Sequence, residues 1–126
     1  MIERLKEAIL KRDERAVWQI AADSWDDATE RPDDAWPHMI EALAVADDDS
    51  IGAIATCILE HILEHDFSYF DRVEQEIATG NIKMRRAFLL CSRFGHSKLP
   101  ESEQRWNKLV ASLQGLTPVA PAVHRR

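Results

Sequence analysis

The sequence predicts an all-α fold of about seven short helices stacked as antiparallel hairpins, in a compact or solenoid-like arrangement. Three observations predict it. Apolar residues recur at helical spacing along nearly the whole chain, and strand-like alternation never lasts more than a few residues. Only 4 glycines occur in 126 residues, and no β-branched clusters stand between turn dipeptides. Helices of roughly 10–16 residues joined by short turns suit stacked hairpins better than a four-helix bundle. No repeat of fixed period is visible, so the stacking is read from element lengths alone.

Ile2, Leu5 and Ile9 open the first amphipathic helix. Val17, Ile20 and Ala21, flanked by Trp18 and Trp25, form a second that runs into Asp26-Asp27-Ala28-Thr29-Glu30. Arg31-Pro32-Asp33-Asp34 reads as a third helix start, with acids at the positive end of the dipole and Pro37 in the first turn, where a missing N–H costs little. Its stripe is Trp36, Ile40, Leu43 and Ala44. Asp47-Asp48-Asp49-Ser50 ends that helix and caps the fourth. Ile51, Ile54, Ala55, Ile58, Leu59, Ile62 and Leu63 cover more than half of the fourth helix, which marks it as central. Asp66 or Ser68 caps a fifth helix with stripe Phe67, Phe70, Val73 and Ile77, broken at Gly80-Asn81. Met84, Ala87, Phe88, Cys91 and Phe94 mark a sixth, stopped near Gly95. Pro100 begins a seventh carrying Trp106, Leu109, Val110 and Leu113. The four tryptophans sit at spacings that suit core packing.

One domain is expected over residues 1–115, long enough to bury a single core, with a flexible proline-containing tail over 116–126. Cys57 and Cys91 lie inside apolar helical patterns and read as reduced, structural thiols. The longest small-or-apolar stretch, Ile51 to Leu59, is too short to span a bilayer, and the first residues lack a signal-peptide core. The expectation is a cytoplasmic protein with no membrane contact and no cofactor.

Charge is divided along the chain. Residues 1–80 carry 20 acidic and 7 basic side chains, a net of −13, whereas residues 81–126 carry 2 and 9, a net of +7. Such polarity bears on partners rather than on fold. Asp23, Asp26, Asp27, Glu30, Asp33 and Asp34 crowd the second inter-helix connection, and Asp47, Asp48 and Asp49 the next but one, and alternate connections of stacked hairpins tend to emerge on the same end. If these connections emerge on the same end of the stack, they form one acidic rim able to bind a basic protein. Helix capping accounts for Asp33, Asp34 and Asp48, and less well for Asp26, Asp27 and Glu30. On the basic side, Lys83, Arg86 and Arg93 share a stripe of the sixth helix, with Arg85 beside them and Lys98, Arg105 and Lys108 nearby. Phosphate binding needs little more than such a stripe. However, the chain as a whole is acidic and no stacking aromatics interleave with these residues. Intramolecular pairing or a head-to-tail homodimer explains them better than nucleic acid does.

Catalytic signatures are sparse. His61-Ile62-Leu63-Glu64-His65 fits the H-x-x-E-H pattern of inverted zinc peptidases, since histidines at i and i+4 share a helix face and a carboxylate can act as base. Cys57 continues the stripe, but it lies roughly 12 Å from His65 along the axis, too far to share one ion. No third ligand is marked elsewhere, so a solvated helix edge is the simpler reading of Glu60, His61, Glu64 and His65. Asp47-x-Asp49 opens like a calcium loop and fails at Ile51 and Ile58. Nucleophile elbow, P-loop and G-x-G-x-x-G are absent.

The stretch from about Trp25 to Phe94 resembles an uncharacterised bacterial helical family, the domain of unknown function numbered 6869. The matching pieces are Pro32-Asp33-Asp34-Ala35-Trp36 entering a helix, Leu59-Glu60-His61-Ile62-Leu63-Glu64-His65, Phe70-Asp71-Arg72-Val73-Glu74, and Arg85-Arg86-Ala87-Phe88. The resemblance implies a compact helical domain and no activity. It marks Glu60 and Glu74 as exposed candidates for a shared role, with Trp36 structural.

The residues suggest two functions of different class. The first is a non-enzymatic protein-binding module, such as an immunity or antitoxin-like inhibitor of a basic toxin or enzyme, because acidic patches complement basic substrate channels. The second is a metal-dependent hydrolase centred on His61, Glu64 and His65.

Overall fold

The computed structural model describes residues 1–116 and is all-α, with no strand among them. Of the expected tail over 116–126, Leu116 ends the last helix, and the rest lies outside the described residues. A 3₁₀ turn, Ile2–Arg4, leads into α1 (Leu5–Leu10), followed by α2 (Glu14–Asp23), α3 (Trp25–Glu30) and α4 (Pro32–Val45). Next come α5 (Asp48–Ile54), a π-helical segment (Ala55–Leu59) and α6 (Glu60–His65), one continuous rod over 48–65. The 3₁₀ turn Phe67–Tyr69 leads into α7 (Phe70–Ala78), then α8 (Ile82–Leu90), a 3₁₀ turn (Gly95–Lys98) and α9 (Pro100–Leu116). Counting α2–α3 and 48–65 as single rods, the seven helices of the sequence reading are present.

The rods stack in two layers. Helices α1 and α4 form one, while α2–α3, the 48–65 rod and α8 form the other, with α5 packed between α2 and α8 and α7 packed on α8. Each boundary has a chemical cause. Asp13 accepts from the Ala16 amide at 3.1 Å, Asp47 from Ser50 at 2.9 Å, Asp66 from Ser68 at 3.0 Å and Asn81 from Met84 at 3.0 Å, so four starts carry side-chain caps. Pro32 occupies the first position of α4, where its fixed φ is preorganised. Pro37 therefore falls in the second turn rather than the first, and its missing N–H leaves one helical bond unmade. Between α2 and α3, the buried Ser24 hydroxyl donates to the Ile20 carbonyl at 2.7 Å and marks the break.

The core runs the length of the stack, and the central rod contributes Ile51, Ile54, Ile58, Leu59, Ile62 and Leu63, all buried. Helix α9 closes one end: Trp106 packs on Phe88 and Phe70 with ring centroids 4.8 and 6.0 Å apart. Trp36 of α4 lies 5.8 Å from the Tyr69 ring, joining the first layer to the base of α7. Two of the four tryptophans depart from the expected packing role. Trp36 and Trp106 are buried, but Trp18 and Trp25 are 41% and 44% exposed.

The π segment changes which residues face inward. The Glu60 amide reaches the Ala55 carbonyl five residues back, inserting one residue into the turn and rotating the rest of the rod by about 100°. Glu60, read from the sequence as a solvated edge residue, is consequently only 8% exposed. Its carboxylate accepts the Ser92 amide at 2.6 Å. That bond draws the chain away from α8 directly after Leu90. The sixth helix ends there, with Cys91 extended, instead of continuing to Phe94.

Candidate protein-binding face

The structure first removes charged residues from consideration by giving them partners. Lys83 donates through Nζ to the Ala44 and Ala46 carbonyls at 3.0 and 2.8 Å, capping the C-terminus of α4. Arg86 pairs with Asp48, and Arg93 with Glu103 at 2.6 Å. The predicted basic stripe is thus bound within the molecule, and Arg93 has left the helix altogether. Arg105 joins Asp71 at 2.8 Å and Glu74, so Glu74, half-buried, also holds helices together. Glu60 is internal because of the π turn that precedes it. Neither Glu60 nor Glu74 is a free exposed group.

The acidic clusters divide likewise. Asp33 and Asp34 lie in the first turn of α4, and Asp47 stands just beyond its last residue. The 14 residues of α4 separate the two groups by about 21 Å at 1.5 Å per residue. Consecutive connections emerge at opposite ends of an antiparallel stack, so the single acidic rim does not form. Asp27 faces inward from α3, accepting the Ile2 amide at 3.3 Å and Arg31 at 2.8 Å, with the N-terminal ammonium 3.9 Å away. Burial opposes its charge, but Arg31, the Ile2 amide and the ammonium outweigh it and hold the carboxyl below its ordinary value. Asp33 pairs with Arg72 at 3.2 Å and accepts the Tyr69 hydroxyl. Burial and this carboxylate push the Tyr69 hydroxyl up to about 12. Asp47 is a cap.

Of the predicted acids, Asp26 and Glu30 stay exposed on α3, and two exposed tryptophans stand near them. Trp18, Ala22 and Trp25 stand at i, i+4 and i+7 on one outward stripe, beside the exposed Asp23, Asp26 and Glu30. The Asp26 side chain makes no hydrogen bond or ion pair among the described residues, as is true of Asp34 at the start of α4. Trp18 Nε1 donates to Asp49 of α5 at 3.0 Å, which fixes the indole across the seam between the rods. Trp25 rests edge-on against His61 and His65, with centroids 6.4 and 5.9 Å apart. Two tryptophans held at the surface among acids, each oriented by the neighbouring rod, form a preorganised aromatic–acidic surface.

The histidine motif makes a different arrangement from a metal centre. His61 Nδ1 lies 2.9 Å from Glu64 Oε1, and His65 Nε2 lies 3.9 Å from the same oxygen. Among the described residues, no group of three or more His, Cys, Asp and Glu side chains is placed to hold a metal ion. Both thiols are free and half-buried, and desolvation raises each thiol, Cys91 strongly. No described helix is long and apolar enough to cross a membrane.

Comparison with protein-family models, with curated proteins and with solved structures finds no match to this chain. The sequence reading marked Asp26 and Glu30 but missed the tryptophans next to them. Neither exposure had a local signal: Trp18 borders the α2 stripe of Val17, Ile20 and Ala21, and Trp25 opens α3 next to the buried Ser24.

Proposed function

We propose that this protein is a non-catalytic protein-binding module. It docks a basic partner protein, in the manner of an immunity or antitoxin-type inhibitor, through the outward stripe of α2 and α3. The observation that carries this reading is the pairing of exposed Trp18 and Trp25 with Asp23, Asp26 and Glu30 in a molecule whose other tryptophans are buried. Aromatic side chains supply large contact area at low entropic cost, and they dominate binding energy where they are desolvated. The acids around them select a cationic partner and speed its approach.

Asp26 and Glu30 are the acids to alter in testing this reading, because Asp27 holds α3 to the N-terminus and its loss would disturb the fold. With an isolated basic partner, Asp26→Lys with Glu30→Lys lowers the association rate and steepens its loss at low salt, whereas Trp25→Ala raises the dissociation rate. Unchanged kinetics in both variants would place the interface elsewhere.

A further inference from the structure

Trp25, an anchor of the proposed binding face, rests on ionisable groups of another rod. Its ring meets those of His61 and His65 nearly at right angles, with interplanar angles of 75° and 86°. The two histidines stand one turn apart on α6, so both reach the same indole. Glu64 serves both, with Oε1 2.9 Å from His61 Nδ1 and 3.9 Å from His65 Nε2. The Gly95 backbone packs against the Glu64 stem, since a Cβ placed there would lie 2.7 Å from Cγ. The imidazoles of His61 and His65 are 28% and 43% exposed, so protons from solvent reach them.

The other elements packed on α6 set the charge around this cluster. Helix α3 brings Asp26 and Glu30, besides Asp27, which is tied to Arg31 and the N-terminus. The π-helical segment brings the Cys57 thiol, which burial keeps protonated. The Phe67–Tyr69 turn follows Asp66, whose carboxylate is held by Ser68. The Gly95–Lys98 turn carries His96 and Lys98, both exposed. Among the described residues, Glu64 alone of these charged groups pairs with His61 or His65.

Imidazole is the side chain that ordinarily changes charge between about pH 5 and 8. We infer that His61 and His65 form a proton switch beneath Trp25, which weakens the α2–α3 face towards a cationic partner as pH falls. The inference rests on the proposed function and supplies its regulation. With neutral imidazoles, the Glu64 charge adds to that of Asp26 and the Trp25 ring is free to receive a basic side chain. Protonation places imidazolium rings 5.9 and 6.4 Å from the Trp25 centroid, about the reach of a cation–π contact. The indole then holds the protein's own cations, and the Glu64 charge is offset. A basic side chain of the partner loses both attractions.

Tryptophan emission of the full chain, titrated from about pH 8 to 5, tests the switch, because an imidazolium quenches a touching indole more than a neutral imidazole does. Wild type is expected to lose emission on acidification. The loss is absent from Trp25→Phe and from His61→Gln with His65→Gln. It is smaller in His65→Gln alone, at the more exposed position, and intact in His96→Gln. An oligo-arginine peptide at low salt probes the face itself. Its Kd is expected to rise about tenfold between about pH 7.5 and 5.5 in wild type, and less than about twofold in the double histidine variant. Emission indifferent to pH, or a loss that survives in the double variant, overturns the inference. So does a peptide affinity that responds to pH equally in wild type and double variant. Peptide bound at neither pH, with the emission change present, contradicts the proposed face instead, so the two failures are told apart.

Discussion

Asp48 and Asp49 are neighbours in sequence and reach in opposite directions: Asp48 pairs with Arg86 of α8, while Asp49 accepts the Trp18 indole of α2 at 3.0 Å. At 100° per residue, adjacent side chains of one helix serve two flanking rods. The first turn of α5 thereby ties together the three rods of the second layer and orients Trp18.

The buried Glu60 carboxylate holds the Ser92 amide, and this bond sets the end of α8. Removing it in Glu60→Ala leaves a backbone donor without its partner and opens a small void. The expected loss is about 2–3 kcal/mol in urea unfolding, typical of a hydrogen bond to a buried charge. Glu60→Gln retains an acceptor and loses less. Amide exchange at Ser92 accelerates in Glu60→Ala ahead of global unfolding.

Gly52 and Gly95 respond oppositely to alanine. Gly52 is helical with open space at its missing Cβ, so Gly52→Ala is expected to stabilise by roughly 0.5–1 kcal/mol. Gly95 has φ +50°, and a Cβ there would lie 2.7 Å from the Glu64 carbonyl oxygen. Gly95→Ala is expected to cost more than about 1 kcal/mol, because the close neighbour is backbone and cannot swing aside. Thermal unfolding of the two variants separates the cases by sign.

Lys83 acts on α4 as a cap rather than as a phosphate contact. Lys83→Met keeps the aliphatic stem and removes the donor, and is expected to lower stability by about 1 kcal/mol. Binding of a nucleic acid duplex at low salt is expected to be absent in wild type and variant alike, as Arg86 and Arg93 are also paired. A shift in wild type that Lys83→Met removes would contradict the capping role.

The carboxyl of Asp27 is held below its ordinary value, so it favours the folded state at pH values above the unfolded carboxylate range, near 4. That contribution disappears as pH falls through the lower, folded value. Asp27→Asn is therefore expected to be less stable than wild type at pH 7, with the difference narrowing below about pH 4. Urea midpoints measured at both pH values check the sign.

The fold was legible because seven apolar stripes, four side-chain caps and Gly80-Asn81 are all local signals. Three features depended on non-local contacts. The π turn at Ala55–Leu59 leaves no mark in hydrophobic spacing, yet it carries Glu60 inward and shifts the register between Cys57 and His61. The stop after Leu90 is imposed by Glu60, 32 positions from its partner Ser92. The acids at both ends of α4 looked like one surface because sequence proximity conceals a helix length between them. For the candidate face, the acids were visible as composition. The exposure of Trp18 and Trp25 was not, since a tryptophan at helical spacing reads equally as core.

Partner binding through the outward stripe of α2 and α3 is tested most directly by a paired affinity purification. Wild type and the Trp25→Ala, Asp26→Lys, Glu30→Lys variant are tagged, expressed in the organism that encodes the chain, and compared by mass spectrometry at low salt. The expected result is one stoichiometric, net-basic protein retained by wild type and absent from the variant. The same proteins recovered with both, or no stoichiometric partner with either, would contradict it.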